Sequence, residues 1–276
     1  MSLITASLNS GSNGNCYFIG NTAEAVLVDV GISCREVERR MARLKLSIEC
    51  IKALFISHEH TDHIKGVEVL SRKYSLPVYI TPSTLKNSHL QLEPKLIRPF
   101  IAAVPVSVGQ LEITAFKKFH DASEPHSFIV EGNGIKIGVF TDIGKPCEQV
   151  IRYFKQCNAA FLEANYDEEM LENGRYPYYL KKRISGDKGH LSNSQALELF
   201  TRHKPVFMNH LFLAHLSRDN NSPHLVSELF TKHAGNTRII VASRYTETAV
   251  HVISNEQTRK SGIDLFSKKS PQLSLF

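Results

Sequence analysis

His58, His60, Asp62 and His63 crowd into six positions directly after the apolar run Ala53-Leu54-Phe55-Ile56. A chain with this cluster has to end a buried strand there and hand its polar residues to a site. Successive side chains of a strand alternate, so His58 and His60 leave on one side, and the following turn brings Asp62 and His63 round to a second point. One short loop can thereby serve two ions. A solvated polar loop has no need of four ligand-type residues at this spacing, whereas metal binding accounts for all of them.

The rest of the chain supplies strands and helices in alternation. Segments 16–19, 25–28 and 78–80 are short apolar runs that read as strands. Val37, Met41 and Leu44 recur at helical spacing after Ser33, a candidate N-cap. Residues 111–116 alternate, segments 127–130 and 136–140 flank the hairpin signal Asn133-Gly134, and 159–162 reads as another buried strand. Ser192 with Gln195 forms a capping box ahead of Leu197 and Phe200, and Ser222-Pro223 opens a helix carrying Leu225, Val226, Leu229 and Phe230. This interleaving predicts an α/β fold of two sheets covered by helices. Periodicity stops near Asn255, so the expected organisation is one domain over residues 1–254 and a flexible tail over 255–276.

Composition excludes some classes. The start of the chain has no basic segment leading into an apolar one, and no run approaches the roughly 20 apolar residues that cross a bilayer. A soluble, cytoplasmic protein without a membrane partner is expected. Five cysteines without CxxC spacing argue against a disulfide framework or a thiolate metal site. A net charge of +6, with clusters at Arg39-Arg40, Arg72-Lys73, Lys117-Lys118 and Lys181-Lys182-Arg183, is compatible with a polyanionic partner. Arg39, Arg40 and Arg43 read more simply as a solvated helix face.

One loop cannot complete two metal shells, so further ligands should end later strands. His120 follows Phe116-Lys117-Lys118-Phe119, Asp142 follows Gly138-Val139-Phe140-Thr141, and both His210 and His215 lie in the last such segment. His89, His203, His224, His233 and His251 read as surface or packing residues, while His126 stays open between an extra substrate contact and a neutral change.

Taken together, these motifs resemble the metallo-β-lactamase-fold hydrolases over nearly all of residues 1–250. The resemblance implies a four-layer αββα sandwich. It also implies one ion on His58, His60 and His120, a second on Asp62, His63 and His215, Asp142 as their bridge, and Asp29 orienting the histidine loop. Of the two late histidines it selects His215. Such ligands suit two divalent ions, zinc or manganese. Ions about 3.5–4 Å apart activate water and stabilise the entering and leaving oxygens of an in-line displacement, which is phosphodiester chemistry.

Ser10-Gly11-Ser12-Asn13-Gly14-Asn15-Cys16, Leu162-Glu163-Ala164-Asn165-Tyr166-Asp167, Gly189-His190-Leu191-Ser192-Asn193 and Leu216-Ser217-Arg218-Asp219-Asn220-Asn221 are similar to the WalJ/YycJ-type subfamily. That similarity implies a 5′-to-3′ DNA exonuclease linked to repair, with Asp62, Glu163 and His190 catalytic. Ser12, Asn13, Arg218, Lys181 and Lys182 are candidate phosphate contacts, and Tyr176, Tyr178 and Tyr179 candidate base-stacking residues. The chain ends Gln272-Leu273-Ser274-Leu275-Phe276, which resembles the pentapeptide that binds the bacterial sliding clamp. There Leu275 and Phe276 would fill an apolar pocket and Gln272 would hydrogen-bond at its rim. The rival readings are an RNA-processing nuclease or small phosphodiester hydrolase of the same fold, and a clamp-associated adaptor with a structural metal site.

Overall fold

Along the strand Ala25–Val28, Val26 and Val28 join the apolar core between two sheets, while Ala25 and Leu27 pack beneath helices on the opposite face. Both faces are buried, so the strand reads as a continuous apolar run and its period of two is hidden in the sequence. The computed structural model describes residues 2–21 and 23–255. The clamp-like pentapeptide at 272–276 therefore lies outside the described residues.

The first half contributes β1 (Ser2–Asn9), β2 (Cys16–Gly20), β3 (Ala25–Val28), β4 (Ile51–Phe55), β5 (Val78–Tyr79) and β6 (Ile97–Arg98). The second contributes β7 (Val106–Val108), β8 (Leu111–Lys117), β9 (His126–Gly132), β10 (Ile135–Phe140), β11 (Ala159–Glu163), β12 (His210–Ala214) and β13 (Arg238–Val241). The last strand, β14 (His251–Ser254), returns to pair with β1. The two sheets run β14-β1-β2-β3-β4-β5-β6 and β13-β12-β11-β10-β9-β8-β7. Each opens with antiparallel pairs and continues as a parallel run, β3 to β6 in one and β10 to β13 in the other.

Helices cover both outer faces. On the first lie α1 (Cys34–Arg43), the short α2 (Thr61–Ile64), α3 (Val67–Tyr74) and α4 (Pro82–Ser88), with Val37, Met41, Val67 and Leu70 seated on the sheet. On the second lie α5 (Glu148–Phe154), α8 (Asn193–His203) and α9 (Pro223–Thr231), where Phe154, Phe200 and Phe230 carry the contact; α6 (Glu168–Asn173) and α7 (Tyr178–Ser185) follow β11 in the chain. Between the sheets Phe55 and Tyr79 stack, and Phe128 meets Phe55 edge-on. The result is the αββα sandwich expected from the sequence.

Local signals hold where chemistry is local. Ser33 caps α1 by accepting from the Glu36 amide, Ser192 and Gln195 form the reciprocal box of α8, and Asn133 and Gly134 turn the β9–β10 hairpin at φ of 55° and 72°. Two basic residues depart from expectation. Arg40 is no part of a solvated face: it is 5 % exposed, and its guanidinium donates to Glu36, Leu8 O, Asn9 Oδ1 and Tyr245 O. Lys118 is not offered to a polyanion either, being buried with its Nζ donating to Thr141 O at 2.7 Å. Among the described residues no helix is long and apolar enough to cross a membrane.

Candidate metal centre

The site forms where parallel strands of both sheets end. Asp29 follows β3, His58 to His63 follow β4, Asp142 follows β10, Glu163 closes β11 and His215 follows β12. In open α/β sheets ligands collect at such carboxyl ends. Asp29, Asp142 and His215 each hold a left-handed backbone, at φ of 59°, 54° and 55°. Three strained non-glycine residues at one site mark a place where packing dictates side-chain direction.

Four donor groups emerge, each with its ligand atoms within 4.8 Å of one another: His58, His60 and His120; His58, His63 and Asp142; Asp62, His63 and His215; and Asp142, Glu163, His190 and His215. The structure brings together all seven metal ligands named from the sequence. Asp142 belongs with members of both triads, its Oδ2 3.1 Å from His63 Nε2 and its Oδ1 3.7 Å from His120 Nε2. His210, the rival of His215, sits at the opposite end of β12 and bonds Asn209 Oδ1. His126 packs edge-on against Phe100, and its Nδ1 lies 2.9 Å from Glu124 O.

The outer nitrogens of these rings are tied down. His63 Nδ1 donates to Asp29 Oδ2 at 2.7 Å, His215 Nδ1 to Glu163 Oε1 at 2.9 Å, and His120 Nδ1 to Gly189 O at 3.0 Å. Ser57 Oγ spends its proton on Asp29 Oδ2, so it accepts from His58 Nδ1 at 2.8 Å. Each contact fixes a tautomer and turns the Nε2 lone pair inward. Buried His58 Nε2, His215 Nε2 and Asp142 Oδ2 then make no hydrogen bond. Orphaned buried acceptors that converge in this way fit a cation.

The charges agree. Asp29, Asp62, Asp142 and Glu163 face one buried cation, Lys118, which burial pushes below its usual range although these carboxylates raise it. Burial would lift Asp142, yet His215 and His63 hold it well below the carboxylate range. Burial likewise depresses His215, but Asp142, Asp62 and Glu163 outweigh it and raise the imidazole to about 10. His63 moves up for the same reason, with Asp142 and Asp29 overcoming burial. Protons on His63 and His215 thus balance the carboxylates, and a divalent cation competes for the same atoms. Burial, aided by His63, Lys118 and His120 against Asp142, keeps His58 well below its ordinary value.

Glu163 also serves His190. Its Oε1 accepts from His190 Nδ1 at 2.8 Å while its Oε2 accepts the amides of Ile143 and Leu191. Burial would raise this carboxyl, but His190 and His215 bring it to about 2.

The remaining candidates scatter. Ser12 and Asn13 lie in an exposed turn, with Asn13 Nδ2 donating to Arg244 O. Arg218 stands exposed at the rim of a cavity beside His215. Lys181 Nζ bonds Glu172 O and Lys182 lies over the Tyr178 ring, so neither touches the cluster; their neighbour Arg183 reaches it only through Asp121, its ion-pair partner, which is 3.4 Å from His120 Nε2. Asn15 also belongs to the site, its Nδ2 3.2 Å from Asp62 Oδ2 and 3.1 Å from His63 Nε2. A glycine-flanked polar loop was the only trace of it in the sequence.

The profile of the "Beta-lactamase superfamily domain" matches residues 24–215. The "Exodeoxyribonuclease YycJ" of Bacillus anthracis is 37% identical over 228 residues, 82% of this chain and 86% of the relative. The "Exodeoxyribonuclease WalJ" of Streptococcus pneumoniae is 31% identical over 223 residues, 79% and 83% of the two chains. Among solved structures, the metallo-β-lactamase fold protein YhfI from Bacillus subtilis aligns at a TM-score of 0.70 with 13% identity, covering 91% of this chain and 100% of the other. The chain belongs to the β-lactamase superfamily of metal-dependent hydrolases, in the branch of the YycJ- and WalJ-type exodeoxyribonucleases.

Proposed function

We propose that the protein is a cytoplasmic, dinuclear phosphodiesterase that degrades DNA from its 5′ ends during repair. In this reading residues 1–254 form the nuclease domain, and residues 255–276 tether it to the bacterial sliding clamp through Gln272, Leu273, Ser274, Leu275 and Phe276. The observation that carries it is the Glu163–His190 pair set against Asp142, with His190 Nδ1 2.8 Å from Glu163 Oε1 and 3.7 Å from Asp142 Oδ1. A hydrolase that only activates water has no use for this second acid. One that must expel a sugar oxygen does. The names of the two relatives support DNA as the polymer.

His58, His60 and His120 would hold one ion, Asp62, His63 and His215 the other, and Asp142 would touch both. Zinc or manganese, when bound, supplies Lewis-acid polarisation of the phosphoryl oxygens and lowers the proton affinity of water. The protein's own residues do the rest. Glu163 holds the Nδ1 proton of His190, so a protonated His190 donates from Nε2 to the departing sugar oxygen as the P–O bond breaks. Asp62, kept anionic by His63 and His215 against its burial, accepts the proton of the attacking water. Ser12, Asn13, Arg218, Lys181 and Lys182 are assigned to the flanking phosphates.

The test is cleavage of 5′- and 3′-labelled duplex DNA with zinc or manganese, comparing the intact chain with Asp62→Ala. Stepwise loss from the 5′ end is expected, falling by about 10²–10⁴ in the variant. Metal-dependent cleavage confined to structured RNA or a cyclic nucleotide would replace this reading with the RNA-processing or small-diester one. Deleting residues 272–276 should abolish clamp binding and spare short free DNA.

A further inference from the structure

A cavity of about 250 Å³ lies directly beside the metal centre, and of the residues that line it only Arg218 has a role above. It shares a wall with the ligands: Ser10, which lines it, accepts from the His215 amide at 2.8 Å, and Leu216 continues from His215 into its lining. Two arginines, Arg218 and Arg244, contribute to that lining, and no carboxylate does. Neither guanidinium forms an ion pair among the described residues, and the buried Nη1 of Arg244 makes no hydrogen bond. Two guanidiniums on a cavity wall that carries no carboxylate leave their charge to be balanced by an anionic ligand.

The arginine-bearing wall is held in advance. Ser10 N donates to Ser243 O and Asn13 Nδ2 to Arg244 O, both from the loop that also carries Asn15 to the metal ligands. From behind, Arg40 Nη2 donates to Tyr245 O and Arg43 makes a bidentate pair with Glu247. This explains why Arg40 is buried: it fixes the backbone that presents Arg244. Asn13, assigned above to a flanking phosphate, also steadies this backbone through its side-chain amide.

We infer that this cavity is a phosphate subsite that receives the 5′-terminal phosphate of the DNA strand being degraded. The inference rests on the DNA-end reading above and adds the form of the end. A terminal monoester carries about −1.5 to −2 charges near neutrality, so two guanidiniums match it better than they match a singly charged internal diester. The space corresponds to about eight waters at ~30 Å³ each, enough for a phosphate and its sugar. Leu216, Val241 and Tyr245 give the apolar surface that a sugar and base edge require.

Steady-state cleavage of two 3′-labelled duplexes, identical except for a 5′-phosphate or a 5′-hydroxyl, tests the assignment with zinc or manganese present. The intact protein should prefer the phosphorylated end by about tenfold or more in kcat/KM, carried in KM, and Arg244→Gln and the exposed-site variant Arg218→Gln should each cut that ratio to about twofold. Equal rates on both ends in the intact protein overturn the inference while leaving the DNA-end reading in place; cleavage of neither end removes both. Variants that slow the two substrates equally place an internal phosphodiester in the cavity, which also overturns the terminal assignment. Direct binding of both duplexes to chelator-treated protein, read by fluorescence anisotropy, should give the same order of preference without chemistry.

Discussion

Asp29 touches no substrate and yet governs the centre. Its Oδ1 accepts the Ser57 amide at 2.8 Å, and its Oδ2 accepts both Ser57 Oγ and His63 Nδ1. Asp29→Asn sets an amide donor against two donors, which forces the His63 proton to Nε2, the atom turned toward Asp142. Metal affinity should fall about 10–100-fold, measured by competition with a chromophoric chelator. Unchanged affinity would remove Asp29 from this role. The candidate ligands were legible because each is a histidine or aspartate in or just after a segment that ends a strand, a signal carried by residue type and place alone. Ser57, Asn15, Lys118 and Arg40 were not, since their types are ordinary and their importance depends on partners 23 to 205 positions away. Lys118 even counted toward a surface charge cluster that its buried ammonium does not join.

At the scale of elements, α7 is anomalous because it has no buried residue, and Tyr178 and Tyr179 are 74% and 75% exposed. Such a helix gains little from packing and is held to the centre through the Arg183–Asp121 pair, 2.6 Å long. On the proposed function, exposed aromatics on this basic helix would serve as a stacking platform for unpaired bases. Replacing both tyrosines with alanine should weaken single-stranded DNA binding by about 1–3 kcal/mol per stacked base and leave the thermal midpoint nearly unchanged. A lowered midpoint with unaltered binding would make them structural. The sequence placed these tyrosines beside proline, where local packing was an equal explanation, and only the missing burial decides between the two. Elements with strong local signals, the capping box of α8 and the β9–β10 turn, were legible in advance. Two-residue strands such as β5 and β6 are defined by their neighbours rather than by any period of their own.

Across the whole molecule the metal centre occupies one seam between the sheets, and a second polar contact occupies another. His251 of β14 lies 5.5 Å from His210 and 5.1 Å from Phe212, both on β12, so the two imidazoles join opposite sheets. Burial, aided for His210 by His251 and for both by Arg238, lowers each to about 4. In the unfolded chain both titrate near 6.5. Between those values the unfolded state binds more protons than the folded state, so stability rises with pH through this window. The contribution is complete above about pH 6.5 and is lost as pH falls toward 4. Nothing in this pair touches a metal ligand, so urea unfolding of chelator-treated protein isolates it when the intact chain is compared with His251→Phe, a ring that suits contact with Phe212. Stability should fall less between pH 7 and pH 4.5 in the variant than in the intact chain, because one titrating group has left the seam and the site carboxylates are common to both. Parallel losses would mean that the acid sensitivity of this fold resides in the metal centre alone.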